Sequence, residues 1–122
     1  MSVSSNKRLL MWLKTKGKCS YCGANLLIAG QEQNAFCVDH LTPISIGGKN
    51  NIENLVPSCR SCNSTKGTKT LEGFRFYKWQ KQIEKKYGAR FTQKQEVVLK
   101  KMGFEFPMQP YVFWFEKQGI KI

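Results

Sequence analysis

An aspartate and the chain's sole histidine stand side by side as Asp39-His40, and Cys59-Arg60-Ser61-Cys62-Asn63 begins nineteen residues after the histidine. A second Cys-x-x-Cys pair, Cys19 and Cys22, lies upstream. These residues suit two kinds of metal chemistry. A two-residue gap lets both thiolates of a pair turn toward one ion, so Cys19, Cys22, Cys59 and Cys62 form a tetrahedral zinc site from two knuckles. A closed four-thiolate site leaves no position for water and is structural. The other set is hydrolytic. Cleaving a phosphodiester needs a base for water, a cation for the charge that develops on phosphate, and a rigid cradle. Histidine is the side chain whose unperturbed pKa lies nearest neutrality, which makes His40 the candidate general base. Asp39 and the Asn63 carbonyl are hard oxygen donors of the kind Mg²⁺ or Mn²⁺ takes.

Those residues must be brought together by local structure. Residues 35–41 are rich in branched and aromatic side chains and read as a strand that ends at the reactive pair. Neighbours on a strand point to opposite faces, so Asp39 and His40 share a site only where the strand end twists or the ion sits at its edge. Pro43 and Gly47-Gly48-Lys49-Asn50-Asn51 mark a long loop. A short second strand follows at 54–57, stopped by Pro57. A helix opens over Arg60 to Lys66, and Gly67 ends or interrupts it. Residues 6–16 read as an N-terminal helix, with Leu9, Trp12 and Leu13 on its apolar face and Gly17 as its stop. Cys37, between Phe36 and Val38, reads as a small buried hydrophobe.

The 36 residues between the two cysteine pairs exceed a simple zinc ribbon and must hold structure of their own. With reduced thiols, and no secretory signal or membrane-length apolar run visible, the expected location is cytoplasmic, in a bacterium or a phage-infected host cell, with no membrane partner. At 122 residues and 41% hydrophobic, one modest core is expected, and zinc would support it.

Charge points to a polyanion. The net charge is +12, and thirteen of the basic residues against five of the acidic lie from Ser64 onward. In this back half Phe76, Trp79, Ile83 and Tyr87 recur at helical spacing and form a packing face against the core. Arg75, Lys78, Lys81, Lys85, Lys86 and Arg90 read as contacts to DNA phosphates. Lys66 is counted with them, although a solvated lysine fits the same position. Thr92 and Gln95 make a capping box for a further helix to about Met102. The cluster 111–115 fits either a strand or a short helix.

Taken in order, Asp39-His40, Gly47-Gly48, Asn54-Leu55 and Cys59-x-x-Cys62-Asn63 with Lys66 resemble the HNH, or ββα-metal, endonucleases. The resemblance is to the subgroup that also carries zinc on two Cys-x-x-Cys knuckles, and it covers roughly residues 19–67. It implies an α+β fold, a small ββα-metal core held by a four-cysteine zinc site, to which the residue patterns add an N-terminal helix and a basic, mainly helical extension over 68–122. One domain would contain both. It also implies that Asp39 and Asn63 hold the catalytic ion, that His40 activates water, and that Asn54 braces the loop carrying His40. The implied products are a 5′-phosphate and a 3′-hydroxyl. Asparagine rather than histidine at position 63 suits Mg²⁺ or Mn²⁺ over a softer ion. The expected partner is double-stranded DNA. One active site cuts one strand, so a double-strand cut calls for a homodimer or a second binding event. A non-catalytic zinc module that binds nucleic acid would explain the cysteines and the charge, but not the pairing of His40 with Asp39 and Asn63. A zinc-stabilised protein-interaction domain would explain the cysteines alone.

Overall fold

A computed structural model of the chain describes residues 5–88, 91–103 and 111–122. The order of elements is α1 (Ser5–Thr15), β1 (Phe36–His40), a 3₁₀ turn (Ile44–Ile46), a second (Ile52–Asn54), β2 (Leu55–Cys59), α2 (Arg60–Lys66), α3 (Leu71–Tyr87), α4 (Gln93–Lys101) and α5 (Trp114–Lys117). The chain divides into two compact units, Met1–Leu71 with Val112–Ile122, and Glu72–Tyr111.

In the first unit β1 and β2 pair antiparallel, with His40 opposite Leu55 and Phe36 opposite Cys59. Helix α2 packs on both strands and α1 on β2. This is an α+β arrangement of two strands followed by a helix. Pro57 does not stop β2. It lies opposite Val38, and its carbonyl turns to Ser20, accepting from the backbone N–H at 3.0 Å and from Oγ at 2.7 Å. In an antiparallel strand a residue's N–H and C=O leave on the same side. The hydrogen that proline lacks would therefore have pointed away from β1, and the ladder loses nothing.

Helix α1 forms close to the expected span but buries a different face. Leu9 and Leu13 are exposed, while Met11 and Thr15 are buried. Trp12 packs edge-on against Phe36. The lysines of the buried side reach backbone carbonyls: Lys14 Nζ donates to Ile52 O at 2.6 Å and Leu55 O at 2.7 Å. Burial pushes the Lys14 ammonium below its ordinary pKa, and the nearby Glu53 charge opposes this.

The C-terminal segment returns to the first cysteine pair. The Trp114 and Phe115 amides donate to Tyr21 O and Ser20 O, each at 3.0 Å. Phe113 is fully buried and packs edge-on to Tyr21. Gly23 is needed here: its φ is +77°, and a Cβ would stand 2.3 Å from the Trp114 ring. The undecided cluster 111–115 thus leads into the short helix α5.

In the second unit Phe74, Trp79 and Ile83 are the buried residues of α3, with Phe76 half-buried. Phe74 takes the fully buried place the sequence pattern gave to Phe76. The side chain of Tyr87 and all of Arg90 lie outside the described residues, as do Pro107 and Pro110. Helix α4 carries its capping box as read. Thr92 Oγ1 accepts from Gln95 N at 3.1 Å, and Gln95 Oε1 accepts from Thr92 N at 2.8 Å. Among the described residues no helix is long and apolar enough to cross a membrane.

Candidate active site

The four cysteines come together. Their sulfurs all lie within 4.8 Å of one another, and Cys22 Sγ is 3.8 Å from Cys59 Sγ. A tetrahedral zinc ion with Zn–S bonds of about 2.3 Å sets its sulfurs about 3.8 Å apart, so the cluster has the size and donor type for one zinc. Cys19, Cys59 and Cys62 are buried and Cys22 is exposed. Cys37 is outside the cluster and is half-exposed rather than buried.

The second pair also starts α2. Cys59 is its N-cap, with Sγ accepting from Cys62 N at 3.3 Å. A β-region residue whose side chain takes an orphan amide is the usual helix start, here supplied by a thiol rather than a hydroxyl. Asn63 sits in the first turn, and Gly67 N closes the helix on Asn63 O at 3.0 Å. The Asn63 side chain is half-exposed and makes no hydrogen bond among the described residues. Lys66 is three residues further, on the same helix face.

Lys66 differs from the expected phosphate contact. Its side chain is 0% exposed, with Nζ 3.1 Å from Asp39 Oδ2 and 2.8 Å from His40 O. A phosphate could reach it only by breaking that ion pair. Asp39 is 4% exposed and also accepts a hydrogen bond from the Tyr21 hydroxyl. Burial pushes the Asp39 carboxyl above its ordinary value, opposed by the Tyr21 hydrogen bond and the Lys66 charge. Burial, then the Asp39 charge, pushes the Tyr21 phenol well up, so it stays a neutral donor. Tyr21 lies between Cys19 and Cys22, so the first knuckle also holds the carboxylate; sequence gave no signal for this beyond an aromatic inside a knuckle.

The side chains of Asp39 and His40 have different partners, as strand alternation requires. His40 is half-exposed at the end of β1, with Nε2 2.5 Å from Asn50 Oδ1. Asn54 ties the intervening loop. Its Nδ2 donates to Thr42 O at 3.0 Å and Lys49 O at 2.9 Å, and its Oδ1 accepts from Thr42 N at 2.8 Å. The loop is folded tightly, since a Cβ on Gly48 would lie 1.8 Å from Thr42 O.

The DNA contacts expected on α3 divide. Arg75 is engaged within its unit, with Nε 2.7 Å from Glu72 Oε2 and Nη1 donating to Tyr111 O at 2.8 Å. Lys78 lies over the Phe74 and Tyr111 rings. Lys81 faces Glu84 at 3.7 Å on the surface, and Lys85 is exposed. Lys81 and Lys85 present the most accessible charge of the four.

The buried pair carries a prediction. Removing one partner of a buried ion pair strands the other, typically at about 3–5 kcal/mol. Lys66→Met is therefore expected to lower unfolding free energy by that order at neutral pH. The sign with pH follows. Without Lys66, the Asp39 pKa rises further above its unfolded value, so the variant is relatively most stable below that value and weakens as pH rises through the raised one. Its deficit against the parent should shrink in acid, where a neutral Asp39 needs no cation. Urea unfolding of both proteins at neutral and acidic pH checks this, and an equal deficit at both would refute the ion-pair account.

Two short antiparallel strands, a loop braced by asparagine and a following helix, with four converging thiols, define a ββα-metal fold. Residues 19–69 match the family model described as HNH endonuclease. A curated relative, "SPbeta prophage-derived putative HNH endonuclease YoqL" of Bacillus subtilis (strain 168), is 32% identical over 90 residues, 66% of this chain. The match covers 36% of that relative, so the chain spans little more than a third of its length. Among solved structures, the Type II-C Cas9 enzyme from Actinomyces naeslundii is similar with a TM-score of 0.49 and 21% identity, over 84% of this chain and 11% of that one.

Proposed function

We propose that this chain is a metal-dependent DNA endonuclease. The observation that supports the reading most is the placement of His40. The only imidazole in the chain stands half-exposed at a strand end, beside a braced loop, inside the segment that matches the HNH family model. In this reading His40 takes a proton from water, and the resulting hydroxide attacks phosphorus in line. The bond to the 3′-oxygen breaks and that oxygen takes a proton from solvent water, leaving a 5′-phosphate and a 3′-hydroxyl. Asp39 and Asn63 would hold a Mg²⁺ or Mn²⁺ ion. A carboxylate offers about four lone-pair positions, so Asp39 keeps capacity beyond its bonds to Tyr21 and Lys66. When bound, such an ion supplies positive charge to the phosphate and the leaving oxygen. Asn54 braces the loop behind His40, and zinc on the four cysteines sets the start of α2.

Double-stranded DNA is the proposed substrate, with the excess of basic charge supplying affinity. Arg75, Lys78, Lys81 and Lys85 are proposed phosphate contacts, led by the exposed Lys81 and Lys85. A cytoplasmic setting and a single nuclease core over about 19–67 with a basic extension complete the reading. Restriction, homing and phage functions are the candidate roles, and the prophage origin of the curated relative favours the phage one.

Purified, zinc-loaded protein is expected to convert supercoiled plasmid to nicked circles with Mg²⁺ or Mn²⁺, and not to do so when the added divalent ion is left out. Salt-sensitive binding with no cleavage under any divalent ion would instead favour a non-catalytic zinc module.

A further inference from the structure

The imidazole of His40 meets Asn50, a residue that loop composition alone does not distinguish from its neighbour Asn51. We infer that Asn50 is the positioning residue of the proposed general base, an inference that rests on the nuclease reading above. The geometry is direct. Asn50 Oδ1 is 2.5 Å from His40 Nε2. An amide oxygen only accepts, so Nε2 carries the proton and donates it to Asn50. The lone pair of the neutral ring is then on Nδ1, the nitrogen left to take a proton from water.

Asn50 is itself held from both sides. Its own carbonyl accepts from Lys7 Nζ of α1 at 2.6 Å. The carbonyl before it, on Lys49, accepts from Asn54 at 2.9 Å. Two residues on, Ile52 O accepts from Lys14, also on α1. The N-terminal helix thus fastens the segment that orients the ring, which gives its inward lysines a role that charge alone does not suggest. Gly48 allows the tight turn just before, where any side chain would meet Thr42 O. A base whose ring is free to rotate spends less time aimed at its water, and a misplacement of about 1 Å can cost on the order of 10²-fold in rate.

Because His40 is the only histidine, its ring nitrogen signals need no assignment. In ¹⁵N-labelled, zinc-bound protein at mildly alkaline pH, the Nε2–H group should give a persistent one-bond ¹H–¹⁵N cross-peak, protected from exchange by Asn50. Asn50→Ala should lose that peak. Its kcat on plasmid DNA should fall by about 10- to 100-fold with KM little changed, and thermal unfolding should stay near the parent's. Asn50→Asp, which keeps an acceptor at the same reach, should restore the peak and most of the lost kcat. An unchanged ring signal in Asn50→Ala overturns the inference, as does a fall in kcat that tracks lost stability and is not rescued by aspartate. The ring signal needs no cleavage, so it stands apart from the nuclease reading, which substitution of His40 itself decides.

Discussion

His40→Ala is expected to lower the rate of plasmid cleavage by about 10²–10⁴-fold, the usual contribution of a positioned general base, and to leave the fold standing. The second half of that statement makes the first informative. His40 is half-exposed and ends a strand, and the bond from Lys66 is to its backbone carbonyl, which alanine keeps. The strand pairing with Leu55 is likewise backbone. What is lost is the ring and its bond to Asn50. Zinc content and thermal unfolding should therefore match the parent's, and DNA affinity measured without added Mg²⁺ or Mn²⁺ should be nearly unchanged. Adding free imidazole should recover part of the rate by refilling the space with a base. Cleavage at the parental rate by a pure, zinc-loaded His40→Ala protein would sink the mechanism.

The parts of this fold that rest on short-range spacing could be read in the sequence. Within each Cys-x-x-Cys pair the thiolates turn to one side because only two residues separate them, and Thr92 with Gln95 caps α4 because both bonds lie within four residues. The misses share another cause. On α1 the inward residues Lys7, Met11, Lys14 and Thr15 follow a helical period, but two of them are lysines. A search for apolar periodicity passes over that face and selects Leu9 and Leu13, which the structure exposes. Lysine stems pack while their ammonium groups find carbonyls, so burial and hydropathy part company. Lys66 is the same effect at higher stakes, since its partner Asp39 is 27 residues away and only the fold brings them together. Asn50 could not be told from Asn51, because the choice depends on which of two identical amides the turn aims at the ring.

Cys59→Ser is expected to unfold the first unit, not to lower activity selectively. The reason lies in how many elements the four sulfurs fasten. Cys59 ends β2 and caps α2, and Cys62 stands in the first turn of that helix, directly before Asn63. Cys19 and Cys22 flank Tyr21, whose hydroxyl holds Asp39 and whose carbonyl receives Trp114. Loss of the ion would leave up to four thiolates within 4.8 Å of one another, a like-charge cluster that is relieved only by protonation or by opening. Structural zinc in small peptides contributes on the order of 10 kcal/mol to the folded state, comparable with the whole stability of a domain this size. Serine, whose hydroxyl is a far weaker zinc ligand, should forfeit much of that. Elemental analysis should find about one zinc per parental chain. Titration with a strong chelator should lower the far-ultraviolet helical signal by the share that α1, α2 and α5 contribute, together with zinc release, in one transition. The first knuckle also anchors the returning C-terminal segment, so tryptophan fluorescence from Trp114 should change in the same transition as the helix signal. A soluble Cys59→Ser protein with parental helicity and no bound zinc would show that the core stands without the metal. Asn63 and Lys66 would then owe their positions to the packing of α2 on β1 and β2 alone.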